Sequence, residues 1–363
     1  MQPRPIERNW DFYLSPAATW AAIYEDCAAA KRSIKVEQYI FENDEIGQKF
    51  LRLFIEKAKQ GVEIRMLCDE VGSFSFVGSP LLDEFRAAGG VFRFYNSPRL
   101  VDIFKPRRFF PRTHIKATVI DSKIAYIGGV CFAERMKDWR DTQIRVTGSV
   151  VAEIERALDG NIAEIREKKH LGSRAVEPQK DFDGFAYVQN DPSFMRHPIY
   201  RALMDRIAHA EEHIYISMAF FIPTLRLRRF LKKAARRGVK VMLLVPENSD
   251  FRIADWAFLS YAPRMLKRGI RIFFYPRTVL HTKTVMIDDD WGTVGSCNMD
   301  PLSFFHNRES NLIVSDPDAL MEMRTDFLRD VAVSHELTLQ NYKKIPLWKR
   351  AAAHIARMLR PIL

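Results

Sequence analysis

The sequence predicts an α/β protein made of two homologous lobes in one chain, related by an approximate twofold axis. Its 363 residues leave room for two domains of ordinary size. Helix-like segments that end at a glycine alternate with β-rich segments, which is typical of α/β lobes. The order of these segments is the same in both halves of the chain, which indicates an internal duplication.

Three blocks of sequence carry the duplication. In the first half, QGVEIRMLCDE precedes AAGGVFRFYN and THIKATVIDSKIAYIGG; in the second half, RGVKVMLLVPE precedes LKRGIRIFFYP and LHTKTVMIDDDWGTVGS. Strands are predicted at residues 62–67, 91–95, 239–245 and 270–275, following helices that end at Gly61, Gly90, Gly238 and Gly269. The chain then divides into a first lobe (11–165), a polar linker (166–183), a second lobe (184–334) and a basic amphipathic tail (335–363).

Composition limits the partners and the compartment. The net charge of +11 favours a polyanionic partner, either nucleic acid or an anionic membrane surface. The four cysteines form no C-x-x-C pair, which predicts reduced thiols and no zinc site. The N-terminus has no apolar signal region and no run of 18 apolar residues occurs, so we expect peripheral binding at the cytoplasmic membrane face rather than a membrane span.

Two H-x-K-x4-D motifs occupy matching places in the duplication. The candidate catalytic residues are His114, Lys116 and Asp121 in the first half and His281, Lys283 and Asp288 in the second. The residues between them are mostly β-formers, and alternate side chains of a strand point the same way. Each histidine is therefore expected to face one cleft beside its lysine. A single such motif is only moderately specific, whereas two matched copies seldom arise by chance.

These residue types suit displacement at a phosphodiester. One histidine attacks phosphorus and forms a covalent intermediate, while the other protonates the leaving oxygen and then activates the incoming hydroxyl. The lysines stabilise the negative charge of the transition state. The sequence has no apparent cluster of metal-binding carboxylates, so we expect chemistry without a metal or other cofactor. The two aspartates lie beyond the strand and are expected to have a structural or electrostatic role, such as orienting a histidine or lysine.

The chain resembles the phospholipase D superfamily, with its paired HKD motifs, and bacterial cardiolipin synthases most of all. Residues 295–300, followed by Asn307 and Glu309, are similar to the G-S-x-N segment and N-x-E element of that superfamily. Residues 39–41, 61–69 and 221–223 resemble the flanking segments of cardiolipin synthases. The resemblance implies two phospholipase D-like α/β/α lobes with the active site at their seam. It also implies a phosphohistidine intermediate with His114 as nucleophile and His281 as acid and base, although the reverse assignment stays open.

The two halves differ around their motifs. The candidate supporting residues are Ser296, Asn298, Glu309 and Asp141. Counted from each histidine, Gly129 matches Ser296 and Cys131 matches Asn298. A thiol is a weaker hydrogen-bond donor than an amide. The first motif is therefore expected to have weaker support, with Asp141 as its substitute.

Three basic segments bear on the substrate. The segment directly before His114 mixes cations with aromatic rings, and its candidate contact residues are Lys105, Arg107, Arg108, Phe109 and Phe110. It suits anionic headgroups or single-stranded nucleic acid, and equally suits an ordinary basic loop. Residues 347–363, which include Trp348, predict either an interfacial helix or a helix docked on its own protein. Residues 225–240 predict a helix whose basic residues form a solvated face.

The sequence therefore favours phosphatidyl transfer of the cardiolipin synthase kind, with phosphatidylglycerol and other anionic phospholipids as partners. Phospholipase D hydrolysis would use water as the acceptor instead, and the sequence does not separate the two. An HKD nuclease acting on DNA or RNA is a further alternative, favoured less because the flanking segments resemble lipid enzymes. A degenerate membrane-binding scaffold is the non-enzymatic alternative, and the two intact motifs oppose it. The sequence does not identify protein partners.

Overall fold

A computed structural model describes residues 8–97, 110–167, 176–177, 183–192 and 197–358, and contains two mixed β-sheets flanked by helices. The first sheet comprises β1 (Trp10–Tyr13), β2 (Ser33–Gln38), β3 (Glu63–Asp69), β4 (Val91–Tyr95), β5 (Ala117–Ile120), β6 (Ile124–Gly128) and β7 (Gln143–Thr147). The second comprises β8 (Phe185–Asn190), β9 (His213–Met218), β10 (Lys240–Pro246), β11 (Arg271–Tyr275), β12 (Lys283–Ile287), β13 (Trp291–Gly295), β14 (Glu309–Val314) and β15 (His335–Leu337).

The two sheets share one topology. Their strand orders are β1-β7-β6-β5-β2-β3-β4 and β8-β14-β13-β12-β9-β10-β11, with β15 added beyond β11. In each sheet, three successive strands are parallel and the others are antiparallel. The predicted α/β class with two homologous lobes is confirmed. The first residues of the predicted tail belong to the second sheet, because β15 pairs with the otherwise open edge of β11.

Helices surround the sheets and contribute to three hydrophobic cores. They are α1 (Pro16–Ala29), α2 (Glu45–Lys59), α3 (Pro80–Ala87), α4 (Val150–Glu167), α5 (Pro198–His209), α6 (Leu225–Arg236), α7 (Arg252–Leu259), α8 (Ala262–Leu266), α9 (Pro301–Phe305), α10 (Pro317–Ala332), α11 (Leu339–Lys344) and α12 (Leu347–Ala356). One core lies between the first sheet and α1–α3, and a second lies between the second sheet and α5–α8. Within the described residues, no helix combines the length and apolarity that a membrane crossing requires.

The third core lies between the two sheets and joins the lobes. It combines inner-face residues of the first sheet, such as Val119, with those of the second, such as Leu244. Helices α4 and α10 add Ile154 and Phe327 to it. Because side chains alternate along a strand, Val119 enters this shared core while its neighbour Ile120 enters the outer one. The seam between the lobes is therefore a buried, continuous interior.

The predicted strands agree with the observed ones within two residues, and one predicted helix end is wrong by one. The glycine in the left-handed region after α3 is Gly89, with φ +92°, instead of Gly90. Gly90 is needed for a different reason: a Cβ there would lie 2.2 Å from the Phe85 ring. The predicted linker, residues 166–183, lies mostly outside the described residues.

Candidate active site

The two motif histidines lie at the seam, each anchored to the opposite lobe through its backbone. The His114 amide donates to the Arg308 carbonyl at 2.9 Å, and the His281 amide donates to the Arg140 carbonyl at 2.8 Å. Between these two anchors, the hydroxyls of Thr142 and Thr282 form a 2.8 Å hydrogen bond across the seam. The two motifs, which are far apart in sequence, are thus brought to one place.

Each imidazole is held by a carboxylate from the opposite lobe. His114 Nδ1 lies 3.0 and 2.9 Å from the two carboxylate oxygens of Glu309. His281 Nδ1 lies 2.7 Å from Asp141 Oδ2. A carboxylate in this position accepts the Nδ1 proton and leaves Nε2 as the reactive nitrogen. Asp141, expected to support the first motif, therefore contacts the histidine of the second.

The two lysines are buried beside the histidines. Lys116 Nζ donates to the His114 carbonyl at 2.6 Å, and Lys283 Nζ donates to the His281 carbonyl in the same way. Burial lowers the pKa of Lys116. Burial, opposed by Asp141 and reinforced by Lys116, lowers the pKa of Lys283 to about 8. Since the charge of Lys116 acts on Lys283, the two motifs form one electrostatically coupled site.

Burial also keeps the histidines neutral. It lowers the pKa of His114 to about 4, against the opposing effect of Glu309, and the charges of Lys116 and Lys283 add to the decrease. Burial and the Lys283 charge likewise lower the pKa of His281, against the opposing effect of Asp141. At neutral pH both imidazoles are therefore unprotonated, which suits a nucleophile. An anionic phosphodiester between them would raise both pKa values.

The differences between the halves compensate one another. Ser296 donates to Glu309 Oε2 at 2.5 Å, which steadies the longer carboxylate side chain. In the first lobe, a Cβ on Gly129 would lie 2.1 Å from Asp141 Oδ1, so the shorter aspartate occupies the space that a serine would need. The Thr142 amide supplies the substitute donor, at 2.7 Å from Asp141 Oδ1. The expectation of a weakly supported first lobe is therefore wrong at this position.

Asn298 and Cys131 are both buried close to the site. Asn298 Oδ1 has no hydrogen-bond partner among the residues that the structure describes. The Cys131 thiol lies within electrostatic reach of both lysines. Burial raises its pKa despite those two cations. The thiol is thus neutral.

Asp121 and Asp288 lie away from the motif histidines, contrary to the prediction that they belong to the catalytic residues. Each lies seven positions after its histidine, roughly 20 Å along an extended chain. Asp121 accepts hydrogen bonds from the backbone amides of residues 31–33, and Asp288 from those of residues 211–213. These hydrogen bonds lower the pKa of both carboxyl groups despite their partial burial. Both aspartates hold the start of the adjacent strand, and within the described part of the chain neither has a hydrogen bond or ion pair with a motif histidine or a motif lysine.

Two aromatic residues and a buried ion pair complete the surroundings. The Tyr39 ring lies 5.0 Å from His114 and the Trp139 ring 5.3 Å from His281, between centroids. Arg112 is buried and forms an ion pair with Asp69, which also accepts the Thr113 amide at 3.0 Å. This pair holds the residues directly before His114. Sequence reasoning missed these roles, because single aromatic or acidic residues carry no motif.

The predicted membrane contacts fall in different places. Lys105, Arg107, Arg108 and Phe109 lie outside the described residues, and Phe110 is partly buried. Trp348 is 63% exposed on α12. Glu212, His213 and Asp289 have side-chain atoms that could ligate a metal, and these atoms lie within 4.8 Å of one another. The group is at the start of β9, where Asp288 accepts the His213 amide, and is away from the motif histidines.

A buried pair of histidines with paired carboxylates and lysines, at the seam of a duplicated α/β fold, defines an enzyme of the phospholipase D superfamily. A family model described as "Cardiolipin synthase, PLD-like domain" matches residues 23–152 and 203–331. The chain belongs to this family, as its motifs indicated.

Relatives and solved structures agree with this membership. A cardiolipin synthase from Staphylococcus aureus is 33% identical, over 94% of this chain and 71% of its own. Another, from Clostridium perfringens, is 29% identical, over 97% of this chain and 76% of its own. The crystal structure of phosphatidylserine synthase from Haemophilus influenzae has the same fold, with a TM-score of 0.75 and 14% identity over 98% of this chain and 93% of that one.

Proposed function

We propose that this protein transfers a phosphatidyl group from one phospholipid to another through a phosphohistidine, without a metal. The observation that carries the proposal is the reciprocal pairing of His114 with Glu309 and of His281 with Asp141. With both Nδ1 atoms held by carboxylates, the two Nε2 atoms would be the nitrogens that react with one phosphate. The similarity to cardiolipin synthases supports phospholipids as the substrates.

In the first step, His114 Nε2 attacks the phosphorus of the donor lipid. The bond from phosphorus to the alcohol oxygen breaks, and His281 gives its Nε2 proton to that oxygen as the alcohol leaves. His281 acquires this proton when the bound phosphate raises its pKa. Lys116 and Lys283 stabilise the charge on the non-bridging oxygens. His114 is assigned as the nucleophile because the resemblance to the superfamily implies that role, and its neutral imidazole is able to attack.

In the second step, a hydroxyl of the second lipid replaces the alcohol. His281, now neutral, removes the hydroxyl proton as the oxygen attacks phosphorus and the phosphorus–nitrogen bond breaks. The proposal gives the amide oxygen of Asn298, which is buried and has no hydrogen-bond partner among the described residues, the role of accepting a hydrogen bond from a substrate hydroxyl. We propose phosphatidylglycerol as the acceptor. A water molecule in the same position would turn the reaction into hydrolysis.

The same proposal places the enzyme at the cytoplasmic membrane face. Helix α12 and the turn directly after it expose Leu347, Trp348, Ile355 and Met358 to solvent, with exposed fractions of 63 to 78%. Large exposed apolar residues next to lysines and arginines suit the interface of an anionic bilayer. The segment with Lys105, Arg107, Arg108, Phe109 and Phe110 is proposed to contact headgroups because it leads directly into His114.

Product analysis by mass spectrometry tests the proposal. Purified protein is incubated, without added metal, with phosphatidylglycerol vesicles, alone and with phosphatidylethanolamine. We expect cardiolipin and free glycerol, and a loss of about 10³-fold or more in the His114→Ala variant. His209→Ala is the matched control, because His209 is exposed and contacts only its own helix. Phosphatidic acid as the product would identify a hydrolase, and cleavage of DNA or RNA without lipid turnover would identify a nuclease.

A further inference from the structure

A groove in the second lobe gathers positive charge. It lies between α6 and α8 and encloses a cavity of about 200 Å³. Five of the residues that line it are basic: Arg228, Arg229, Lys232, Arg264 and Arg268. From the sequence, the basic residues of the helix predicted at 225–240 are expected to form a solvated face. The structure instead brings a second basic segment opposite that face.

The described residues that line this groove include no carboxylate. The chain has no aspartate or glutamate within residues 225–246 or 256–287, the two segments that form the groove. Of the groove residues, Arg229, Lys232, Arg264 and Arg268 form no salt bridge within the described part of the chain. Like charges that converge without counter-ions repel one another, and an anion placed between them relieves that repulsion.

The groove also contains a buried hydroxyl. Tyr261 is 2% exposed, lines the cavity, and its hydroxyl has no hydrogen-bond partner among the described residues. The Arg228 guanidinium lies 5.0 Å from the centre of its ring. Buried polar groups in proteins usually have a partner, so this hydroxyl points to a ligand or an ordered water in the groove. A phosphate oxygen would accept from both the hydroxyl and the arginines.

The walls of the groove favour a lipid over a soluble polyanion. Leu225, Met265 and Ile270 contribute apolar surface beside the basic residues, and Leu225 is 56% exposed. Helix α8 packs against α11, which leads directly into α12 and its exposed Trp348. The groove and the apolar helix therefore belong to neighbouring elements. A headgroup in the groove would leave acyl chains beside apolar rather than charged surface.

We propose that the groove between α6 and α8 binds the phosphate of an anionic phospholipid in the membrane surface and anchors the enzyme there. None of its lining residues belongs to either HKD motif or contacts a motif histidine. The site is thus distinct from the catalytic centre. The proposal goes beyond the proposed reaction, since the anchor would serve a transferase or a hydrolase alike.

Vesicle flotation at physiological ionic strength tests the groove without relying on turnover. The test variant carries Arg229→Gln, Lys232→Gln, Arg264→Gln and Arg268→Gln in the full chain. The control carries Lys31→Gln, Arg32→Gln, Arg52→Gln and Lys123→Gln, which are exposed residues of the first lobe and give the same change in charge. Binding is compared on vesicles of phosphatidylcholine with phosphatidylglycerol and on phosphatidylcholine alone. Circular dichroism checks that both variants are folded.

We expect the groove variant to lose about tenfold or more of its affinity for phosphatidylglycerol vesicles, while the control loses about threefold or less. Equal losses in the two variants would overturn the proposal, because they would show diffuse attraction by net charge. Binding of single-stranded DNA is measured for the same variants. A groove variant that still binds vesicles but no longer binds the DNA would also overturn the proposal, in favour of a nucleic-acid site. Inorganic phosphate at millimolar concentration is also tested as a competitor of vesicle binding. If it competes as effectively as added phosphatidylglycerol vesicles do, the groove is a free-phosphate site and the proposal is overturned.

A second variant distinguishes binding by specific groups in the groove from attraction by charge alone. Tyr261→Phe leaves the charge unchanged and removes only the buried hydroxyl. We expect it to weaken binding to phosphatidylglycerol vesicles by about threefold to tenfold, as the loss of one hydrogen bond to a charged group implies. Unchanged binding would show that the hydroxyl does not reach the ligand and would overturn the groove as a phosphate site.

Discussion

At the scale of single residues, each motif histidine depends on a carboxylate that lies in the other lobe. Glu309 and Asp141 do not touch the substrate in the proposed reaction, so they are positioning residues. Their charge raises the pKa of the histidine that each one contacts, and their geometry fixes the Nδ1 proton. Amide substitutions keep the shape of these side chains and remove the charge.

Glu309→Gln and Asp141→Asn are each expected to lower kcat by about 10²- to 10⁴-fold, because the histidine loses its preferred tautomer. Since Glu309 raises the pKa of His114, its removal lowers that pKa further. The acid limb of the kcat/KM profile should therefore move to lower pH. The measurement is a pH–rate profile, with Glu25→Gln as the control on an exposed carboxylate. A limb that stays in place would argue against control of His114 by Glu309.

The lowered pKa of Lys283 predicts an alkaline limb in the pH profile of kcat/KM. Its pKa is lowered to about 8, so it loses its charge as the pH rises above that value. We expect kcat/KM to fall with a midpoint near pH 8 if the ammonium stabilises the transition state. Arginine stays protonated throughout the accessible range. Lys283→Arg should therefore retain some activity and lose this limb, and an unchanged limb in that variant would assign it to another group.

Asp121 carries a prediction for stability. Asp121→Asn should lower the free energy of unfolding by about 1–3 kcal/mol at pH 7 and leave kcat nearly unchanged, because the carboxylate binds backbone amides far from the histidines. The folded-state pKa of Asp121 lies below its ordinary value. Its stabilisation is therefore present above about pH 4 and is lost as the pH falls through the folded-state pKa. Urea unfolding at pH 7 and pH 3 should show the effect of the substitution shrinking at the lower pH.

At the scale of elements, α12 reconciles the two interpretations of the C-terminal tail. It docks on α7 through the small side chains of Ala353 and Ala356, which are buried. Its large apolar residues, including Trp348 and Ile355, remain exposed. The helix is therefore attached to its own protein and still presents an apolar surface. Periodicity alone did not distinguish the small apolar face from the large one.

Replacing Leu347, Trp348, Ile355 and Met358 by serine should leave the melting temperature within about 2 °C, because none of the four is buried. The same change should weaken binding to phosphatidylglycerol vesicles by about tenfold or more, since each side chain contributes apolar area to the interface. Calorimetry and vesicle flotation give the two results. Replacing Met321 and Leu328 by serine, two exposed apolar residues of α10, is the matched control. An equal loss in the control would remove α12 from the proposed membrane contact.

At the scale of the whole molecule, the lobes share an interior. The central core contains residues of both sheets and of α4 and α10, and the carboxylate–histidine pairs span the same seam. Separating the lobes would expose this apolar surface and leave each histidine without its carboxylate. The two lobes are therefore expected to unfold as one unit.

Calorimetry tests this cooperativity. The chain is expected to unfold in one transition whose calorimetric and van't Hoff enthalpies agree, because neither lobe keeps a complete core without the other. Val119→Ala, in the shared core, should shift the whole transition. Ile23→Ala, in the outer core of the first lobe, serves as the comparison and should shift the same single transition. Two resolved transitions, with only one affected by Ile23→Ala, would show that the lobes unfold independently.

The α/β class, the duplication and the residues of both motifs could be predicted from the sequence, because each is encoded in local order and spacing. His114 and Lys116 share a strand face, and strand alternation is a local property. Which carboxylate serves which histidine could not be read in this way. Residues 114 and 309, and residues 141 and 281, lie 195 and 140 positions apart, and no local pattern links them.

Residues that share a type but differ in surroundings could be distinguished only after the packing of the elements was known. This packing distinguished the role of Asp141 from that of Asp121. The Asp141 carboxylate is buried at the seam against His281, whereas the Asp121 carboxylate accepts backbone amides at the far end of a strand. It also turned the basic face of α6 into one wall of a groove, by placing Arg264 and Arg268 opposite. Proximity across a folded interior depends on how whole elements pack, and a linear spacing rule does not contain that information.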